Sequence, residues 1–193
     1  MVKSLAVERA RSSAIRDLLE ITERPGIVSL AGGLPNPATF PTDAIARAAA
    51  AALAEDPVGA LQYGPTEGYR PLRRWVAERT GLPDGGSSGS GSGEEQVLIT
   101  SGSQQALELL TRALVDPGEL VALADPAYVG ALQAFRAAGV ELAPIPSDAD
   151  GLRVDVLADR IAQGARPRLV YVVANFDNPS GSTLSAERRI ALP

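Results

Sequence analysis

Two kinds of hydrophobic pattern alternate along the second half of the chain. Short continuous apolar runs, bounded by Gly, Pro and Asp, occur at Val97–Thr100, Leu120–Ala124, Val140–Ile145 and Leu169–Ala174. Between them, apolar residues return every three or four positions over Gln104–Val115, Tyr128–Ala138 and Val156–Gln163. Runs without polar alternation read as strands buried on both faces, and the segments between them read as amphipathic helices. Strands separated by helices predict an α/β domain with a doubly wound, mainly parallel sheet.

The first half reads differently. A helical segment over roughly Ala6–Glu23 is followed by "RPGIVSLAGGLPNPATFP", which is too rich in Gly and Pro for regular structure and predicts an extended arm. An Ala-rich helix is expected from Thr42, as its N-cap, to about Glu55, ending before Pro57. A second helix has Pro71 in its first turn and Leu72, Trp75 and Val76 on one face. The low-complexity run "PDGGSSGSGSGEE" is read as a surface loop within the fold, because an intact strand, turn and helix follow it.

Composition narrows the chemistry. At 193 residues and 45% apolar content the chain can bury one core, and its net charge of −5 offers no basic field for nucleic acid. No apolar run approaches the ~20 residues that span a bilayer, and the first residues lack the apolar core of a secretory signal, so a cytoplasmic protein with no membrane partner is expected. With no Cys and no His there is no disulfide, thiol nucleophile, imidazole base or ordinary transition-metal site. Lys3 is the only lysine.

In doubly wound sheets ligands bind beyond the carboxyl ends of the strands, which directs attention to three loops. In "VLITSGSQQALELL" a glycine turn leads into a helix near Gln104, whose first N–H groups and positive dipole end suit an anion; Ser103 either adds its hydroxyl or simply caps the helix. In "VALADPAYVGALQAF" Tyr128 faces the same edge, where it either lies against a planar ring or packs in the core with Leu132 and Phe135. In "NFDNPSG" the Asn175 and Asn178 amides either hydrogen-bond a ligand or mark an ordinary turn. Together the three describe a pocket for a flat, phosphorylated heterocycle.

The motifs "SLAGGLPNPATFP", "LQYGPTEGYRPLRRWVAER", "VLITSGSQQALEL", "DPAYVGALQAF" and "NFDNPSG" stand in the order and approximate spacing of one family. The chain resembles the N-terminal half of class I/II aminotransferases, pyridoxal-phosphate enzymes of fold type I, and in particular the branch of aminoadipate and valine-type transaminases. The resemblance implies that residues 1–41 are an N-terminal helix and arm on the substrate side. Residues 42–193 would be the first part of the pyridoxal-phosphate-binding large domain, with the C-terminal small domain absent. It implies that Gly102, Ser103 and Gln104 hold the phosphate of pyridoxal 5'-phosphate, that Tyr128 stacks on its ring and that Asn178 bonds its phenolic oxygen. Tyr63 would reach the neighbouring subunit's phosphate in a homodimer; Gly32 and Gly33 would line the substrate side, with Arg24 near an acidic substrate side chain. The substrates implied are amino acids and 2-oxo acids.

In that family the Schiff-base lysine, the aspartate facing the pyridine nitrogen and the arginine gripping the substrate carboxylate all follow the "NPSG" loop, and none stands in these 193 residues. Lys3 matches neither the position nor the surroundings of that lysine. The expectation is therefore a truncated aminotransferase chain, inactive alone and with no catalytic residue of its own. A different class of reading is an aminotransferase-like ligand-sensing domain of a transcriptional regulator, which would carry a DNA-binding segment upstream. An unrelated nucleotide-binding domain is disfavoured, because no GxGxxG or GxxxxGK[ST] follows a strand.

Overall fold

The computed structural model describes Ser4, residues 35–82 and residues 93–192. The helix expected over Ala6–Glu23, the residues Arg24, Gly32 and Gly33, and most of the Gly/Ser run lie outside the described residues. The chain forms two compact units that divide between Thr100 and Ser101.

In the unit ending at Thr100, the described part of the stretch expected to be irregular contains a 3-10 turn, Pro37–Thr39; the Asn36 side chain accepts from Ala38 N at 3.1 Å. Helix α1 is Thr42–Glu55, but Thr42 is its first helical residue and not its cap: the cap position is Pro41, which makes no side-chain bond. Asp56 closes α1 and caps α2, Pro57–Leu61, by accepting from Gly59 N at 2.9 Å. Helix α3, Arg70–Thr80, ends at Gly81 in the left-handed conformation, φ 68°, which a residue without Cβ adopts at no steric cost.

The expected apolar face of α3 is corrected. Leu72 and Trp75 are exposed, and Ala77 is the buried residue of the helix. What α3 presents to its neighbour is a row of arginines around Glu94, a residue 5% exposed in the 3-10 turn Gly93–Gln96. Arg70 Nε donates to its carboxylate at 2.5 Å and Arg74 Nε at 3.1 Å, while Arg73 donates to the carbonyls of Glu94 and Val97. The Arg70 hydrogen bond holds the Glu94 carboxyl below its ordinary pKa; burial opposes that shift and Arg74 reinforces it. The end of the Gly/Ser run is thus packed, not a free surface loop: Gly93 is buried, and a Cβ there would stand 2.9 Å from Leu82 O.

Val97–Thr100 is not a strand either. Ile99 N donates to Glu67 O at 2.9 Å and Val97 O accepts from Arg73, so the backbone of this run is satisfied by a loop and a side chain instead of a ladder.

The unit from Ser101 onward holds the sheet. Helix α4 is Gly102–Leu114, strand β1 Leu120–Asp125, helix α5 Val129–Ala138, strand β2 Glu141–Asp148 and strand β3 Gly151–Leu152. Helix α6 is Val154–Ala162, strand β4 Pro167–Tyr171 and helix α7 Ala186–Ala191. Strand order is β3-β2-β1-β4, with β1 parallel to β2 and β4 and only the short β3 antiparallel, so the sheet is mainly parallel as the pattern predicts. Alternate residues of β1 feed two cores: Ala122 and Ala124 pack with Ile145, Leu157 and Leu184, while Val121 and Leu123 pack with Val115, Ala131 and Phe135. Burial on both faces is why β1 reads as an unbroken apolar run. β4 stops at Tyr171, three residues short of the expected Ala174, because its pairing ends at Leu123↔Tyr171, close to where β1 itself ends.

Short α7 is anchored by charge. Arg188 grips Asp148 in a two-pronged pair, Nη1–Oδ1 2.6 Å and Nη2–Oδ2 2.7 Å, and also donates to Gly151 O at 2.8 Å. The Arg188 hydrogen bond, helped by the Asp150 N–H, lowers the Asp148 pKa from 3.8 to about 2. Because the folded-state value is the lower one, this stabilisation is complete above the unfolded value and is lost as pH falls from about 4 to about 2. The acid limb of unfolding should therefore flatten over that window in Asp148→Asn, read by thermal melts at stepped pH; an unchanged slope would assign the acid sensitivity elsewhere.

Candidate functional site

Helix α4 begins earlier than the pattern suggests. Its N-cap is Ser101, and Gly102 (φ 75°) and Ser103 are its first two residues. Ser101 N donates to Gln105 Oε1 at 2.5 Å. Ser103 therefore caps nothing, and its hydroxyl has no partner among the described residues. The positive dipole end of this 13-residue helix and the Ser103 hydroxyl at its exposed opening suit an anion such as phosphate.

Gln104 points elsewhere. Its Nε2 donates to Gly130 O at 3.0 Å, joining the start of α4 to the start of α5. Gln104 can offer its backbone N–H to an anion, but its side chain is a brace between helices.

Tyr128 stands three residues beyond the end of β1, after the cis Asp125–Pro126 bond, and is the N-cap residue of α5. It is half-buried and packs against the Val121, Leu123 and Phe135 core. Core packing with partial exposure leaves both readings of Tyr128 compatible.

The third loop leaves β4, the neighbour of β1, at the same sheet edge. Asp177 is its buried residue, 7% exposed, and organises it: Asp177 N donates to Ser182 O at 2.8 Å, Gly181 N to Asp177 O at 2.6 Å, and Ser180 Oγ to Asp177 Oδ2 at 2.7 Å. Phe176 is held at φ 52°, a region unfavourable for a residue with a side chain, between firmly bonded neighbours. On one side Arg189 donates to Leu184 O, Ala174 O and Asn175 Oδ1 at 2.7, 2.7 and 2.6 Å. On the other is the cis Asn178–Pro179 bond. The Asn175 amide is thus bound to Arg189, whereas the exposed Asn178 amide has no partner among the described residues.

Tyr171, the last residue of β4, ties these pieces together. Its ring meets Phe135 edge-on, with centroids 5.7 Å apart. Burial raises its phenol pKa, and the Asp177 carboxylate raises it further. The Gln104–Gly130 bond ties the α4 opening to the start of α5 beside Tyr128, and the Asn178 loop follows β4, the strand paired with β1. Tyr63 belongs to the other unit, where it is fully exposed. Sequence reasoning missed Tyr171, Arg189 and the Gln104 brace. No group of three or more His, Cys, Asp or Glu positioned for a metal occurs among the described residues, and no helix there is long and apolar enough to cross a membrane.

A mainly parallel sheet covered on both faces, with a helix opening, an aromatic and an Asn-Pro loop following its strands, is the construction of a ligand-binding α/β domain. The family described as aminotransferase class I and II matches residues 26–189, and the chain belongs to that family. It is 45% identical over 184 residues to 2-aminoadipate transaminase of Thermus thermophilus, covering 94% of this chain and 44% of that protein. The crystal structure of the Thermus thermophilus α-aminoadipate aminotransferase LysN, complexed with N-(5'-phosphopyridoxyl)-L-leucine, superposes with a TM-score of 0.83 at 41% identity, covering 98% of this chain and 45% of that one. An HTH-type transcriptional regulator of Bacillus subtilis, YisV, is 30% identical over 183 residues, covering 95% of this chain and 36% of that protein. The 193 residues thus span less than half the length of each of these relatives.

Proposed function

We propose that these residues form the phosphate and ring-face wall of the active site of a pyridoxal-phosphate-dependent aminotransferase that moves an amino group between an α-amino acid and a 2-oxo acid. The Gln104–Gly130 bond that ties the α4 opening to the turn carrying Tyr128, with the Asn178 loop following the neighbouring strand β4, carries this reading. When bound, the cofactor supplies an electron-withdrawing ring that stabilises negative charge on the substrate carbon. Gly102, Ser103 and the Gln104 N–H receive the phosphate, Tyr128 supports one ring face and the Asn178 amide donates to the phenolic oxygen. Tyr63 serves the phosphate of a neighbouring subunit in a homodimer, and Arg24, Gly32 and Gly33 line the substrate side. The family alignment to a 2-aminoadipate transaminase favours an acidic amino acid as substrate.

With Lys3 as the only lysine, these 193 residues are proposed to hold the cofactor without covalent attachment and without turnover. Equilibrium dialysis against pyridoxal 5'-phosphate should show saturable binding, one per chain, displaced by inorganic phosphate, with no amino transfer from glutamate. Failure to bind would overturn the reading. The likeness to the Bacillus subtilis regulator supports a second reading, a ligand-sensing domain. Turnover in a longer protein carrying these residues and the downstream lysine separates the two, because a sensor would bind the cofactor and not transfer amino groups.

A further inference from the structure

Gly130 is buried at the first turn of α5, where its carbonyl accepts from Gln104. Its backbone does not fall in the left-handed region, so conformation does not call for glycine here. Space does. A Cβ at this position would stand 2.5 Å from Tyr128 Cε1, 2.6 Å from Tyr128 Cζ and 2.6 Å from Gln104 Oε1. Real Cβ atoms do not come that close to other heavy atoms, so the Tyr128 ring and the Gln104 carboxamide both occupy room that a side chain would need. The ring folds back over the start of its own helix and rests on bare backbone.

From this geometry we infer that Gly130 is a positioning residue: with the Gln104 carboxamide it forms the seat that sets the tilt of the Tyr128 ring, and so the plane against which a flat heterocycle stacks. The inference rests on the proposed cofactor site and adds two roles to it. Gly130 acts through Tyr128 without touching the ligand, and the Gln104 side chain acts through Gly130 instead of gripping the phosphate.

The prediction runs opposite to a merely structural role. Alanine is the better helix former, so Gly130→Ala in a helical conformation should leave the far-UV circular dichroism intact. The new methyl would nevertheless push the Tyr128 ring off its seat. The probe is pyridoxamine 5'-phosphate, an amine that needs no lysine, compared with inorganic phosphate, which has no ring. Gly130→Ala should weaken pyridoxamine 5'-phosphate about two- to tenfold, the range that an aromatic stacking contact supplies, and should change the induced circular dichroism of the bound pyridine. Phosphate affinity should stay unchanged. In a Tyr128→Ala background, Gly130→Ala should add no further loss. Unaltered pyridoxamine 5'-phosphate binding in the folded single variant would overturn the inference, as would an equal loss for phosphate or a further loss in the Tyr128→Ala background. If the unsubstituted protein binds phosphate but not pyridoxamine 5'-phosphate, the cofactor reading itself fails, and this inference with it.

Discussion

Phe135→Ala is expected to remove about 3–5 kcal/mol of stability, the cost of deleting a fully buried phenyl ring and leaving a cavity. Phe135 is 0% exposed on α5 and sits in the cluster with Val115, Val121, Leu123 and Ala131, its ring edge-on to Tyr171. The surrounding residues come from β1, α5 and the segment after α4, and a rigid sheet face cannot collapse into the hole. At about 2–4 °C per kcal/mol for a chain of this size, the melting temperature should fall by roughly 6–20 °C. Phe135→Leu keeps most of the volume and should lose markedly less. A Phe135→Ala protein that melts with the parent would mean that this core is not closed as described. The substitution also reaches the candidate site, since Tyr171 loses its packing partner and itself neighbours Tyr128 and Asp177.

What the sequence reveals and what it hides follows from the range of the interactions. Helix α1 is readable to within a residue, with Thr42 expected as the cap and found as the first helical residue, because Pro41 and Pro57 bracket an uninterrupted Ala-rich segment. β1 is readable because both of its faces are buried, and that burial writes itself as a continuous apolar run. Val97–Thr100 has the same lettering and is not a strand: whether an apolar run finds a ladder depends on its partners, here Glu67 and Arg73, which no local pattern announces. The Gly/Ser run masked the burial of Gly93 and Glu94 in the same way, since the arginines that hold Glu94 lie 20 and 24 residues away.

The site divides along the same line. Gly102, Ser103 and Tyr128 stand at element ends and Asn178 in an Asn-Pro turn between β4 and α7, and in both settings the turn chemistry is local. The residues that fix their orientation are bonded across distance: Gln104 to Gly130 over 26 residues and Arg189 to Asn175 over 14. A Gln in a helix and an Arg-Arg pair near a helix end look solvated when read in sequence. The one local signal available was Gly130 itself, a glycine inside a predicted helix, where alanine would be preferred unless something needed the space.

Gly68→Ala should be strongly destabilising to the unit ending at Thr100. Gly68 has φ 105°, a conformation that costs a residue with a side chain about 1–3 kcal/mol. Its added Cβ would also stand 2.6 Å from both Cβ and Cγ1 of Ile99. Ile99 cannot step aside freely, because its N–H is bonded to Glu67 O at 2.9 Å, on the residue next to Gly68. Overpacking of this kind adds about 1–3 kcal/mol, so the two costs together reach about 2–6 kcal/mol. Gly64, four residues earlier in the same loop, gives the internal control: nothing lies within 4 Å of its would-be Cβ and its φ is not positive, so Gly64→Ala should be close to neutral. The only tryptophan, Trp75, stands in α3 of the same unit and reports its unfolding by fluorescence. Ile99→Ala placed on top of Gly68→Ala should recover only part of the loss, because it removes the Cγ1 contact and leaves both the Cβ contact and the backbone strain. If Gly68→Ala melts alongside Gly64→Ala, the contact between the Tyr63–Gly68 loop and Ile99 is not the one that fixes this loop.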